Sequence, residues 1–277
     1  MRLPAAGPLK VSLSLARRIG WLAWLRWLAF PGLPLLAWLA HTRGLALVLM
    51  GVGGVLLLVA LNAWMMSLRR QFIREAPLPR HLGAKLCAQY PQLTARDAEL
   101  VLRGLRQFFL AYSRSNRRFV GMPSKVVDAA WHDFILHTRG YAAWCDTAFG
   151  RLLHHTPAEV LGRDAKRNDG LRRTWYWCCK EEGINPRQPT RLPLLFALDT
   201  KFAIEGGYRY VPDCKDIDRQ SADGTYCGTS FGGDGGGGDA AAPGDGDGFG
   251  GCESSGSDGG GDSGGDGGCG GGCGGGD

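Results

Sequence analysis

No lysine or arginine occurs in the last 50 of the 277 residues, and no charge of either sign occurs between Leu45 and Met66. The first absence splits the chain electrostatically. Residues 228–277 hold 26 glycines, eight aspartates and one glutamate, a formal charge of −9 against +15 for the 227 residues before them. Such a segment cannot bury enough apolar surface to offset its ordering entropy, so a disordered acidic tail is expected. The second absence excludes a solvated loop. Twenty-two residues in which Asn62 alone is strongly polar can cross a hydrocarbon core ~30 Å thick at a rise of ~1.5 Å per residue.

Other patterns are missing too. The tail glycines do not recur at every third position as in collagen, and Gly-Gly-Gly does not stand between a strand and a helix as a phosphate loop requires. The nonapeptide period of calcium-binding β-rolls is not sustained either. No pair of Cys-x-x-Cys arms is present, which excludes a zinc finger. The nine cysteines are an odd number, and Cys87, Cys145, Cys178 and Cys179 fall in helical stretches, which favours a reducing compartment. A pI of 8.9 raises nucleic acid as a partner. The basic residues, however, flank apolar runs or lie on helix faces, and no nucleic acid is expected.

Two apolar stretches, 19–40 and 45–66, stand close together in residues 1–80 and are expected to form a transmembrane helical hairpin. The first contains Arg26, Pro31, Gly32 and Pro34 and is expected to be a kinked span, with a re-entrant or interfacial segment as its rivals. Trp21, Trp24, Trp38 and Trp64 fall near the ends, where aromatic belts form. Arg2, Lys10, Arg17 and Arg18 precede the hairpin, Arg69, Arg70, Arg74, Arg80 and Lys85 follow it, and the 41–44 loop has one arginine. This asymmetry places both termini in the cytoplasm and the protein in the inner, cytoplasmic membrane. Without paired intramembrane charges, anchoring is favoured over transport.

Residues 81–227 are expected to form a mainly α-helical cytoplasmic domain ending in a short hairpin. Thr94 can cap a helix whose Ala98, Val101, Leu102, Leu105, Phe108, Phe109 and Tyr112 share one side. Ser124 can begin a second, with Val127, Ala130, Trp131, Phe134 and Ile135 as its stripe, and Gly140 is expected to turn the chain into Tyr141 to Phe149. Further helices fit 165–180 and 193–204. The hairpin would join 208–211 to 225–228 and bring Cys214 near Cys227. Trp175-Tyr176-Trp177-Cys178-Cys179 fits core or an aromatic ligand platform.

Most of the chain's metal-capable chemistry lies in the 28 residues from Asp128 to His155. Asp128 and His132 are four apart and share a helix face, so the carboxylate can orient the imidazole. His137 is five residues from His132 and turns away from it by ~140°. The ligand set is therefore read as His132, Cys145 and one of His154 or His155, with Asp128 behind them. Thiolate and imidazole suit zinc, and three protein ligands with an open fourth position would be catalytic in style. Two other readings stand beside it: histidines bonded to backbone carbonyls with Cys145 as a small buried hydrophobe, or a nucleophilic Cys145–His pair. Cys269 and Cys273 offer a further soft-metal or tethering pair on a tail that otherwise only solubilises.

The run Val127-Asp128-x-x-Trp131-His132-x-x-Ile135-Leu136-x-Thr138-x-x-Tyr141-x-x-x-Cys145, with Phe149-Gly150 and His154-His155, resembles the core motif of the glycine-rich domain-containing protein-like family. The segments 192–199 and 226–230 also look like bacterial members. The resemblance implies no defined activity or functional residues, and His137 is not a motif position. A binding or scaffolding module, meeting a protein partner through the helical domain or the tail, is the expected function. A zinc-type metal-dependent enzyme is the alternative.

Overall fold

The computed structural model describes residues 9–39, 44–156, 165–213, 225–231 and 251–253. The expected mainly α class holds. The described residues form eight α-helices: α1 Leu9–Leu39, α2 Leu45–Glu75, α3 His81–Gln89, α4 Ala95–Arg114, α5 Lys125–Leu136, α6 Thr138–Phe149, α7 Ala165–Glu181 and α8 Leu194–Lys201. Strands are two or three residues long: β1 Val120–Gly121, β2 His154–Thr156, β3 Tyr210–Val211, β4 Tyr226–Cys227 and β5 Gly251–Glu253. β5 pairs antiparallel with both β1 and β2.

α1 is helical throughout, across Pro31 and Pro34. It packs along α2, and Arg26 donates to Asn62 Oδ1 at 3.2 Å. This bond matches two otherwise isolated polar groups in an apolar pair. Leu45–Glu75 is long and apolar enough to cross a membrane, and its Leu47, Val48, Leu49, Val52, Val55, Leu56 and Leu57 face outward, as do Trp21, Trp24 and Trp27 of α1.

α2 does not stop at the end of its apolar run. Leu68, Phe72 and Ile73 enter the core of the helical body, where Phe72 meets Trp144 at 5.9 Å between ring centroids. The half-buried guanidinium of Arg106 closes this junction by donating to the carbonyls of Ile73, Arg74 and Ala76 at 3.0, 3.3 and 2.5 Å. Ile73 and Arg74 carry two of α2's last carbonyls, which have no partner within the helix, and Ala76 is the extended residue just after it, so a cation from α4 satisfies all three and favours the negative end of the helix dipole.

α4 is the central post. Thr94 caps it through a reciprocal box with Asp97, and Ala98, Val101, Leu105, Phe108, Phe109 and Tyr112 are buried as their spacing required, with Leu102 half-buried. Ser124 caps α5 as expected. The break between α5 and α6 comes at His137, which stacks on His81 at 4.9 Å, and Gly140 lies inside the first turn of α6. β3 and β4 pair in parallel, so the expected hairpin is corrected. A hairpin needs antiparallel strands, whereas Tyr210 pairs with Tyr226 and Val211 with Cys227 in the same sense. Cys227 is disulfide-bonded, and Cys214 lies outside the described residues.

The expectation that nothing from 228 onward is buried is also corrected. Phe231 packs against Trp175 at 6.0 Å and Phe196 at 6.3 Å, and Gly228 is buried. A Cβ on Gly228 would stand 2.2 Å from the Trp175 ring, so the approach requires glycine. Cys269 and Cys273, with the rest of the tail beyond 231 other than 251–253, lie outside the described residues.

Candidate metal centre

Asp128, in the first turn of α5, and His132, one turn later, project from the same face. An acidic residue is favoured near the positive end of the helix, so Asp128 also stabilises α5. The third member arrives from β2. His155 Nε2 lies 3.0 Å from Asp128 Oδ1, and His132 Nδ1 lies 3.5 Å from Asp128 Oδ2. The imidazoles stand 4.2 Å apart by ring centroids. The three candidate ligand atoms, one from each residue, all fall within 4.8 Å of one another.

Ligands held ~2.1 Å from one ion stand ~3.0–3.4 Å from each other. The two observed separations, which run to different oxygens of Asp128, lie close to that range, and the three-atom set, which spans up to 4.8 Å, would have to draw in to hold one ion. The side chains are 9% exposed at His155, 23% at Asp128 and 52% at His132. An ion held here would face solvent on the His132 side.

A buried hydrogen-bonded relay sets the position of His155. Trp131 Nε1 donates to Tyr141 Oη at 3.1 Å, and Tyr141 Oη donates to the Leu153 carbonyl at 2.6 Å. This ties the start of β2 to α5 and α6, and the Trp131 ring meets His155 in a T-shape at 4.6 Å. The sequence presents Trp131 as one more stripe residue, so the role of its indole N–H was not legible. Gly150 makes the preceding turn in the left-handed conformation, φ 77°, and a Cβ there would meet the Arg69 guanidinium at 2.5 Å. Glycine therefore serves both the turn and the close approach.

The structure brings together Asp128, His132 and His155, and it separates Cys145 and His154 from them. Consecutive strand residues point to opposite faces, so His154 is exposed while His155 turns inward. Cys145 is fully buried behind the relay. Burial pushes its thiol up to about 11, although hydrogen bonds with the Leu153 backbone and the Tyr141 side chain pull the other way. It stays protonated at neutral pH, which does not suit a nucleophile. Asp128 lies between the two imidazoles, 3.0 Å from His155 and 3.5 Å from His132, instead of standing behind them. His137 turns toward His81, as its spacing from His132 required.

A family model matches residues 68–231, which is more than half of the chain and contains every member of this cluster. The chain belongs to the UCP032817-like family. The UCP032817-like match corrects the resemblance to the glycine-rich domain-containing protein-like family, which nothing in the comparisons indicates. The motif that suggested it is built largely from positions a helical core fills in any case: Val127, Trp131, Tyr141, Cys145 and Phe149 are all buried. The UCP032817-like family is uncharacterised, and no curated protein or solved structure matches the chain.

Proposed function

We propose that the chain is a membrane-anchored, cytoplasmic binding module that holds a divalent transition metal through Asp128, His132 and His155. The convergence of one carboxylate and two imidazoles at near-ligand spacing carries this reading. Two histidines and one carboxylate suit zinc or ferrous iron. The chain's own residues do the positioning: α5 supplies two ligands at one-turn spacing, and the Trp131–Tyr141–Leu153 relay aims the third. The expected set containing Cys145 and His154 gives way to this one.

The anchor is read from α1 and α2 as a two-helix membrane hairpin with both termini in the cytoplasm. Outward apolar side chains on both helices and basic residues on both flanks support it. The cysteines do not decide the compartment, because Cys87, Cys145, Cys178 and Cys179 are free while Cys227 is disulfide-bonded. The tail beyond Phe231 is read as a disordered acidic arm on its composition.

A metal-dependent enzyme is the second reading, favoured by the exposure of His132, which leaves outward coordination positions for water or substrate. Binding is preferred because the clefts beside Arg118, Arg191 and Trp21 are lined by none of the three ligands.

Full-length protein in detergent, dialysed against zinc or ferrous iron, should retain ~1 ion per chain. His155→Ala and Asp128→Ala should lose it, and Cys145→Ala and His154→Ala should keep it. Metal that survives both of the first two variants would overturn the assignment. For the anchor, an alkaline phosphatase fusion after Asp277 should be inactive, and an active one would reverse the topology.

A further inference from the structure

Away from the metal cluster, the C-terminal end of α4 and the outer face of α7 enclose a cleft of about 660 Å³. Six cations line it, Arg114, Arg118, Arg172, Arg173, Lys180 and Arg187, and among the described residues its lining includes no carboxylate. Two of them are held from behind, Arg114 by Glu181 at 2.5 Å and Arg173 by Asp169 at 3.6 Å. Arg118 and Arg172 are exposed. Two of the three aromatic residues of the expected platform form the wall. Trp175, Cys178 and Cys179 are core, but Tyr176 and Trp177 face this side and meet edge-on at 5.1 Å. Arg114 stands 5.8 Å from the Trp177 ring centroid and Lys180 stands 5.7 Å from that of Tyr176. Cations so crowded lower their mutual repulsion by sharing an anion, and phosphate matches the arginine fork.

The location narrows the source of the phosphate. Arg74 of α2 and Arg114 of α4 share Glu181. Arg117 donates to the Phe149 carbonyl at 3.2 Å, next to Gly150, on which Arg69 packs. Burial first, then the positive charges of Arg151 and, more weakly, Arg26, hold the Arg117 guanidinium below its ordinary range. The end of α4 therefore stands beside Arg69, which is three residues, or about 4.5 Å, past Met66, the last residue of the apolar run. The headgroup layer of a bilayer is about 5–8 Å deep on each side, so Arg69 falls within it in the proposed membrane setting, and Arg118 follows Arg117 on that side of the body.

We propose that this cleft binds the phosphate of an anionic phospholipid headgroup, with Arg118 and Arg172 engaging it and Tyr176 and Trp177 lying against the adjoining glycerol and upper acyl chain. The proposal rests on the membrane anchor proposed above, and a free phosphate would present the same chemistry from a soluble source.

Full-length protein in neutral detergent is titrated with short-chain phosphatidylglycerol, with phosphatidylcholine of equal chain length, and with inorganic pyrophosphate. Phosphatidylglycerol should bind at least about tenfold more tightly than phosphatidylcholine, and Arg118→Glu/Arg172→Glu should remove that preference without lowering Tm. Equal binding of the two lipids would overturn the proposal, as would a preference that survives the double variant. Pyrophosphate binding that depends on the same arginines, with no lipid preference, would reject the headgroup for a soluble phosphate. Carbonate extraction of wild-type membranes tests the anchor separately, since an extractable chain would fail that reading whatever the lipid titration shows.

Discussion

At the scale of single residues, the thiol of Cys145 shows how burial overrides chemistry. Its pKa, pushed up to about 11 from an ordinary value of 9.0, favours the protonated form in the folded protein. Stability from this group is fully present below pH 9 and falls as the pH rises toward 11, because only the unfolded chain ionises freely there. The loss should approach ~2–3 kcal/mol. Cys145→Ala should remove this alkaline slope relative to wild type, measured as unfolding free energy between pH 8.5 and 11. An unchanged slope would mean that the thiol is not the group lost. Tyr141→Phe tests the relay beside it. Without the hydroxyl, the buried Leu153 carbonyl and the Trp131 indole N–H both lose their partner, at a cost of about 1–3 kcal/mol, and metal affinity should fall along with stability. The pairing of Asp128 with His132 was legible because helix geometry turns a spacing of four into contact. His154 and Cys145 were not, because one strand residue of slip and one layer of burial decide which side a group faces, and neither leaves a mark on composition.

At the scale of elements, the N-terminus of α5 depends on a residue far away in sequence. Asp199 of α8 is 3% exposed and accepts from Ser124 Oγ at 2.7 Å, from the backbone N–H groups of Lys125 and Val126 at 2.7 and 3.2 Å, and from that of Tyr208 at 3.0 Å. A carboxylate at the positive end of a helix, with four donors, is stable in the interior. Asp199→Ala should cost about 3–5 kcal/mol by leaving those donors unpaired. Ser124→Ala, which loses the cap and one of the four donors to Asp199, should cost less, about 1–2 kcal/mol. Both are read by chemical unfolding, and equal costs would mean that Asp199 adds nothing beyond the cap. The Thr94 and Ser124 caps were readable because each precedes an apolar stripe. The contact to Asp199 spans 75 residues and belongs to the fold alone. The α5–α6 break was misplaced at Gly140 because no breaker residue marks His137, where packing on His81 redirects the chain instead.

At the scale of the whole molecule, the long apolar helix α2 and the body share one core. Leu68, Phe72 and Ile73 belong to the helix that carries the apolar run, and Arg106 locks its last turn. Arg106→Ala should speed amide hydrogen exchange through residues 72–78 by at least about tenfold while leaving α5 unaffected. Equal acceleration in both would point to general destabilisation.

A domain on a flexible leash sweeps a hemisphere and meets partners at many heights. This body is a post set into its footing, because α2 passes from the apolar run into the core as one helix. In the proposed membrane setting, its metal ligands would stand at a constant height above the bilayer and keep one compass bearing relative to the α1–α2 pair. A partner would have to arrive at that height, by diffusing in the plane or by having the reach to match it. Lengthening the post by whole helical turns, in steps of ~5.4 Å, would change the height and preserve the bearing.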